Sequence, residues 1–170
     1  MALTRKRALA IFKMLGEKGA SAAAWADGEA TEDKPYLARW LFLKALWSDV
    51  IDEDDGWMRE WSNKRDPVPA AIARMLAKGI DPDDLTDVVR AMQVDLLFNV
   101  CCLLDDSSQG VEDEQAKIPE NVEWRLAEYD GEREKVKRPI LDIHGDFYQF
   151  DPTGRLGEPR KRAARKKRRR

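Results

Sequence analysis

The sequence has two cysteines, one histidine and no uncharged run longer than the nine residues Leu96 to Leu104. Each shortage excludes something. A membrane-spanning helix needs about 20 consecutive apolar residues, so no transmembrane segment is expected. His144 is the sole histidine, so no two-histidine metal site forms within one subunit, and neither a metal nor any other cofactor is expected. Cys101 and Cys102 are adjacent inside the apolar run. Neighbours on a helix point about 100° apart, so the two read as buried thiols and not as a disulfide, a usage that suits a reducing compartment. The apolar stretch after Arg5, Lys6 and Arg7 runs only from Ala8 to Phe12, shorter than the roughly 7 to 15 residues of a signal-peptide core. A cytoplasmic location is expected, or a nuclear one in a eukaryote; the acid-free, amphipathic residues 1–16 also fit a mitochondrial presequence.

Catalytic signatures are missing too. The chain has no phosphate-cradling glycine loop ending in Lys-Ser/Thr, no G-x-S-x-G elbow, no H-E-x-x-H and no spaced Cys/His set. A non-enzymatic protein is the expectation.

What is present is apolar bulk and segregated charge. The chain has 170 residues, of which 43% are hydrophobic and 36% charged, with six Trp and five Phe. A chain of roughly 150 residues buries about 70% of its unfolded surface, so one globular core is expected. The formal charge of −2 conceals an asymmetry. Nine of the eleven residues from Arg160 to Arg170 are basic; removing them leaves 21 bases against 32 acids on residues 1–159, a balance of −11.

The periodicity predicts a mainly α fold: a bundle of four or five helices over residues 1–106, an acidic linker at 107–121, a small β-hairpin segment packed on the bundle at 122–156, and a disordered basic tail at 157–170. Ala8, Ile11, Phe12 and Leu15 recur at helical spacing before Gly16. Residues 19–34 read as a short turn anchored by Trp25. After Pro35, the positions Tyr36, Trp40, Leu43, Trp47 and Val50 step by four and three, a buried seam. Asp52 to Gly56 interrupt it before Trp57, Met58 and Trp61 resume, and Gly56 fits either inside one long helix or at a break. Val68 to Lys78 form the next helix, closed by Gly79. Asp81, Pro82 and Asp84 are the clearest start signal in the chain. The nearly continuous apolar positions from Val94 to Leu104 suggest a helix in the middle of the bundle. Val122, Trp124 and Leu126 alternate like a half-buried strand, Asp130–Gly131 marks a turn, and a second strand is expected at Ile140 to Ile143.

Three candidate clusters carry chemistry. Asp95 and Asn99 lie on a small polar stripe of the long helix with Asp84, Ala91, Cys102 and Asp106. Facing water, the stripe is the outer side of the bundle; facing inward, it needs partners such as Arg39, Arg74 or Arg90 and marks a pocket. His144 has Asp142 and Asp146 near it to orient the ring. Asp52, Glu53, Asp54 and Asp55 resemble a cation site in composition alone. With Gly56 as the sixth loop position the first would be Ile51, which fails the EF-hand pattern, so a solvated face is expected. Trp40, Trp47, Trp57 and Trp61 sit at core spacing.

The strongest signal is the tail: Arg160, Lys161, Arg162, Arg165, Lys166, Lys167, Arg168, Arg169 and Arg170. Such a run grips phosphate through counterion release, without reading base sequence. The expected function is that of a binding protein whose acidic body contacts a protein partner, while the tail tethers it to the phosphate backbone of DNA or RNA. A protein-only adaptor or inhibitor with a self-docking or solubilising tail is the alternative. A small enzyme using Asp95 and Asn99, or His144, is a remoter one.

Overall fold

The structure is a computed structural model describing residues 3–32, 34–54, 56–62, 67–109, 116–117, 123–158 and 160. Among these the chain is mainly helical, with seven α-helices and one two-stranded antiparallel sheet. The helices are α1 Arg5–Met14, α2 Gly19–Thr31, α3 Tyr36–Ser48, α4 Gly56–Ser62, α5 Pro67–Ala77, α6 Pro82–Asp105 and α7 Ile143–Phe147; a 3-10 turn, Tyr148–Phe150, follows α7. The strands are β1 Ala127–Asp130 and β2 Lys135–Pro139. No described helix is long and apolar enough to cross a membrane.

Caps set the helix limits. The Thr4 hydroxyl accepts the Arg7 amide at 3.4 Å at the start of α1, and the Asp81 carboxylate accepts the Asp83 amide at 3.1 Å at the start of α6. Each satisfies a backbone donor that has no partner inside its helix. The long-helix alternative at Gly56 is resolved as a break. Helix α3 ends at Ser48, and Asp54 Oδ1 accepts the Gly56 amide at 2.7 Å, starting α4 afresh. Residues 19–31 form a full helix where a short turn was expected; its alanines favour helix in spite of the flanking glycines.

Three apolar clusters hold these elements together. Phe12, Ala22, Trp25, Ala26 and Trp40 join α1, α2 and α3. Leu43, Trp47, Val94, Cys101, Ile143 and Phe147 join α3, α6 and α7. Ile51, Trp57, Met58 and Ile72 join the α3–α4 loop to α4 and α5. Trp40, Trp47 and Trp57 are core residues that keep their polar edge satisfied. Trp47 donates to the Phe147 carbonyl at 2.6 Å, Trp57 to the Thr86 hydroxyl at 3.0 Å and Trp40 to Glu17 at 2.9 Å. The side chain of Trp61 lies outside the described residues.

Two expectations need correction. Both strands are displaced: the first lies at 127–130 and not along Trp124 to Leu126, with Val122 outside the described residues, and the second lies at 135–139, not 140–143. The Ile140 amide still bonds the Leu126 carbonyl at 2.8 Å, but Asp142 then adopts φ 58° and turns the chain into α7. Ile140 and Ile143 are both buried because they are three apart at the mouth of a helix, not because they alternate along a strand. Secondly, α6 is not enclosed. Thr86, Arg90, Val94 and Cys101 face the core, whereas Val88, Met92 and Leu96 stand 55%, 67% and 63% exposed on the opposite side. The exposed Asp95 and Asn99 mark this open side, as the water-facing reading of the polar stripe expects, whereas the apolar positions around them read as buried all round.

Charged side chains dock the hairpin on the helical body. Arg138 donates to Glu29 at 2.7 Å, to Glu128 at 3.0 Å and to the Lys34 carbonyl at 3.1 Å. Glu29, itself buried, also accepts the Leu37 amide at 2.8 Å in the first turn of α3. A two-stranded sheet is marginal alone; this clamp and the packing of Leu126 and Ile140 supply what it lacks.

Candidate functional site

Helix α6 organises the charged features. Arg90 occupies a core-facing position, spaced by four from Val94 and eleven from Cys101, and enters the interior only because its guanidinium is paired. It donates to the Ile51 carbonyl at 2.7 Å and to Asp151 Oδ1 at 2.9 Å. Asp151 is just as buried, and its remaining lone pairs are used. Oδ1 accepts the Thr153 amide at 3.0 Å and the Thr153 hydroxyl at 2.8 Å, and Oδ2 accepts the Gly157 amide at 2.8 Å. Burial pushes the Asp151 carboxyl up, but the Gly157 and Thr153 donors together with Arg90 outweigh it and hold the group below its ordinary range.

This buried carboxylate folds residues 151–160 back over α6. Gly157 at φ 85° completes the turn, and a Cβ there would lie 2.8 Å from the Tyr148 ring, so glycine is required by both backbone and space. Arg155 then pairs with Glu53 and donates to the Glu158 carbonyl at 2.8 Å; the hydrogen bond from Arg155 lowers the Glu53 carboxyl. Arg160, the first base of the tail, does not project free. It donates to Asp87 at 2.8 Å and lies 3.8 Å from an Asp83 carboxylate oxygen. Lys161, Arg162, Arg165, Lys166, Lys167, Arg168, Arg169 and Arg170 lie outside the described residues. Arg160 itself sits at the N-terminal part of α6, against Asp83 and Asp87. A groove of about 460 Å³ lined by Asp49, Asp52, Asp54, Trp57 and Gln93 lies in the α3–α4 loop region that Arg155 engages through Glu53.

The other sequence candidates fall elsewhere. Asp95 and Asn99 are both exposed on the outward face of α6, so they need no buried partner. Arg90 goes to Asp151, and Arg39 goes to Asp146 at 2.8 Å and to the Leu141 carbonyl at 2.9 Å. Of the stripe, Cys102 and Asp106 line the cavity beside His144, and Asp95 and Asn99 do not.

His144 is oriented by a residue far away in sequence. Asp105 Oδ2 accepts the His144 amide at 2.9 Å and lies 2.6 Å from Nδ1, while Asp146 is committed to Arg39 and Asp142 lies 3.9 Å from the same arginine. A cavity of about 510 Å³ beside the pair is lined by Cys102, Asp106, Gln109, Leu141 and Asp142. With Nδ1–H given to Asp105, Nε2 is left as an acceptor. Among the described residues that line this cavity, Cys102 carries a thiol. Burial, followed by the Asp105 charge, pushes the Cys102 thiol up, and burial pushes Cys101 up to about 12, so both stay protonated at neutral pH. Among the described residues no group of three or more His, Cys, Asp or Glu is placed to hold a metal ion.

Sequence reasoning passed over Arg39, Arg90 and Arg138 as structural residues. The signal was available for two of them: Arg39 and Arg90 sit in phase with buried positions of α3 and α6, and a base on an apolar face implies a buried acid. No protein-family model, curated protein or solved structure matches the chain, so its own residues carry the functional argument.

Proposed function

We propose that the protein is a non-enzymatic binding protein in which the acidic helical body engages a protein partner and the basic extension, Arg160 to Arg170, tethers the assembly to the phosphate backbone of DNA or RNA. The observation that carries this reading is the separation of charge: a balance of −11 on residues 1–159 against nine bases in the last eleven residues. A body of that sign repels a polyanion, so attraction has to come from the extension. The Arg90–Asp151 pair supports it by fixing the segment that precedes the extension on α6. Binding is electrostatic and indifferent to base sequence, because phosphate contacts position a protein while base-edge contacts specify it.

The test compares residues 1–157 with the full chain for duplex DNA and RNA across a salt series. The full chain is expected to bind with an affinity that falls with salt, at about 0.9 logarithmic units per phosphate contact on duplex DNA, and the truncated chain to bind far more weakly. Equal affinity of the two overturns the reading. One observation favours the protein-only alternative, in which the tail docks on its own body: Arg160 already pairs with Asp87 of α6. Under that alternative neither the full nor the truncated chain binds nucleic acid at physiological salt, and capture of a basic protein partner survives truncation.

A further inference from the structure

We infer that the exposed side of α6 is the docking surface for the protein partner, and that the segment it receives is a basic amphipathic helix. The inference rests on the protein-partner half of the proposed function and gives it a location and a chemistry.

Val88, Met92 and Leu96 step by four along α6, and Leu103 continues the line seven residues on; all four are exposed. At 100° per residue they fall within about 80° of one another and run for about 22 Å, the length of four turns. Contiguous apolar surface of this kind on a helix is the geometry of helix-in-groove recognition, in which anchors spaced three, four and seven apart meet a complementary stripe. Scattered exposed hydrophobic residues need no explanation, but the aligned run of Val88, Met92 and Leu96 does; the exposed Asn99 separates it from Leu103.

Charge selects the occupant. On the side of the seam α6 carries Asp84, Asp95 and, at its C-cap, Asp106, and no base, since its single base, Arg90, is turned inward to Asp151; Asp83 and Asp87 meet Arg160 and Asp105 meets His144. Asp95 is exposed and makes no ion pair among the described residues; it flanks the seam near its midpoint with Asp106 toward the same side, while Asn99 falls within the seam itself. A second copy of the chain fits poorly in an antiparallel pairing, because packing two α6 helices through this seam about a two-fold axis then brings Asp95 against its own mate. A phospholipid surface of negative charge is repelled. The chain's own extension lacks the anchors, since Ala163 and Ala164 are its only apolar residues between Arg160 and Arg170. A partner helix with Leu, Ile or Met on one side and Lys or Arg along the margins satisfies both the apolar seam and its acidic border.

The test uses the full chain and a fluorescein-labelled 15-residue peptide of leucine and lysine, with leucines at helical spacing, followed by anisotropy at 0.15 M salt; a scrambled peptide of equal composition is the control. The Met92→Gln/Leu96→Gln double variant is expected to weaken binding at least tenfold without changing net charge. Met14→Gln, an equally exposed position on α1, is expected to leave it unchanged. Asp95→Asn is expected to weaken it two- to threefold and to reduce its salt dependence. Unfolding midpoints of the variants, which remove only exposed side chains, confirm that each remains folded. Equal affinity of wild type and double variant overturns the α6 surface while leaving a partner site elsewhere on the body open. No peptide binding overturns it as well. So does a concentration-dependent dimer that the double variant abolishes, which makes a second copy the occupant. Tail truncation separates this result from the tethering test, since the peptide affinity is expected to survive it.

Discussion

Two ion pairs tie the C-terminal segment to α6 through residues three apart on the helix, and they differ in one respect. Arg90–Asp151 spans 2.9 Å and Arg160–Asp87 spans 2.8 Å, so length does not distinguish them. Exposure does: the side chains are 10% and 1% exposed in the first pair and 25% and 22% in the second. The inner pair has given up its water, and each member depends on the other for stability. The outer pair exchanges with solvent and ions at small cost. One is a structural fastener and the other a releasable contact, and the same helix supplies both because Arg90 is in phase with its buried face while Asp87 lies at the margin.

The largest expected effect comes from breaking the inner pair. Asp151→Asn leaves the Arg90 charge buried without its counter-ion and is expected to destabilise the fold by about 3–5 kcal/mol, read from urea unfolding. A cost under about 1 kcal/mol would erase the distinction between the pairs. Acid is the next lever. The folded Asp151 carboxyl titrates below its unfolded value, so its stabilisation is fully present above an unfolded pKa of about 3.9 and is lost as pH falls through the lower folded value. Unfolding midpoints measured from pH 6 down to pH 2 are expected to fall more steeply for the wild type than for Asp151→Asn, and parallel curves would contradict this. The smallest effect belongs to Arg160→Ala, expected to change stability by less than about 0.5 kcal/mol. Salt at 1 M, which shortens screening to about 3 Å, is expected to remove even that difference. A penalty equal to that of Asp151→Asn would show that the outer contact holds the fold.

Much of the helical framework was legible from residue spacing. The Asp81–Pro82 start of α6, the ends at Gly16 and Gly79, and the burial of Trp40, Trp47 and Trp57 follow from caps, glycine and a seam of fours and threes. The hairpin turn at Asp130–Gly131 is also local chemistry: Asp130 Oδ1 accepts the amides of Glu132 and Arg133 at 3.2 and 3.3 Å. What stayed hidden was long-range. The partner of His144 is 39 residues away at Asp105, and that of Arg90 is 61 residues away at Asp151; neither distance leaves a trace in periodicity. The open side of α6 was misread for another reason. Its leucines and methionine carry the same pattern whether covered by this chain or by another, so only the folded arrangement separates the two.

The docking of Arg160 sets a leash. While that releasable contact is made, Lys161 to Arg170 reach at most about 35 Å from it when stretched, and the 24 residues of α6 measure about 36 Å from end to end. Anything seized by the final arginines is thereby kept within one rod length of the helix that roots them. A polyanion and a docked partner would have to share that small neighbourhood, at a local concentration set by chain geometry before either makes a single contact with the other.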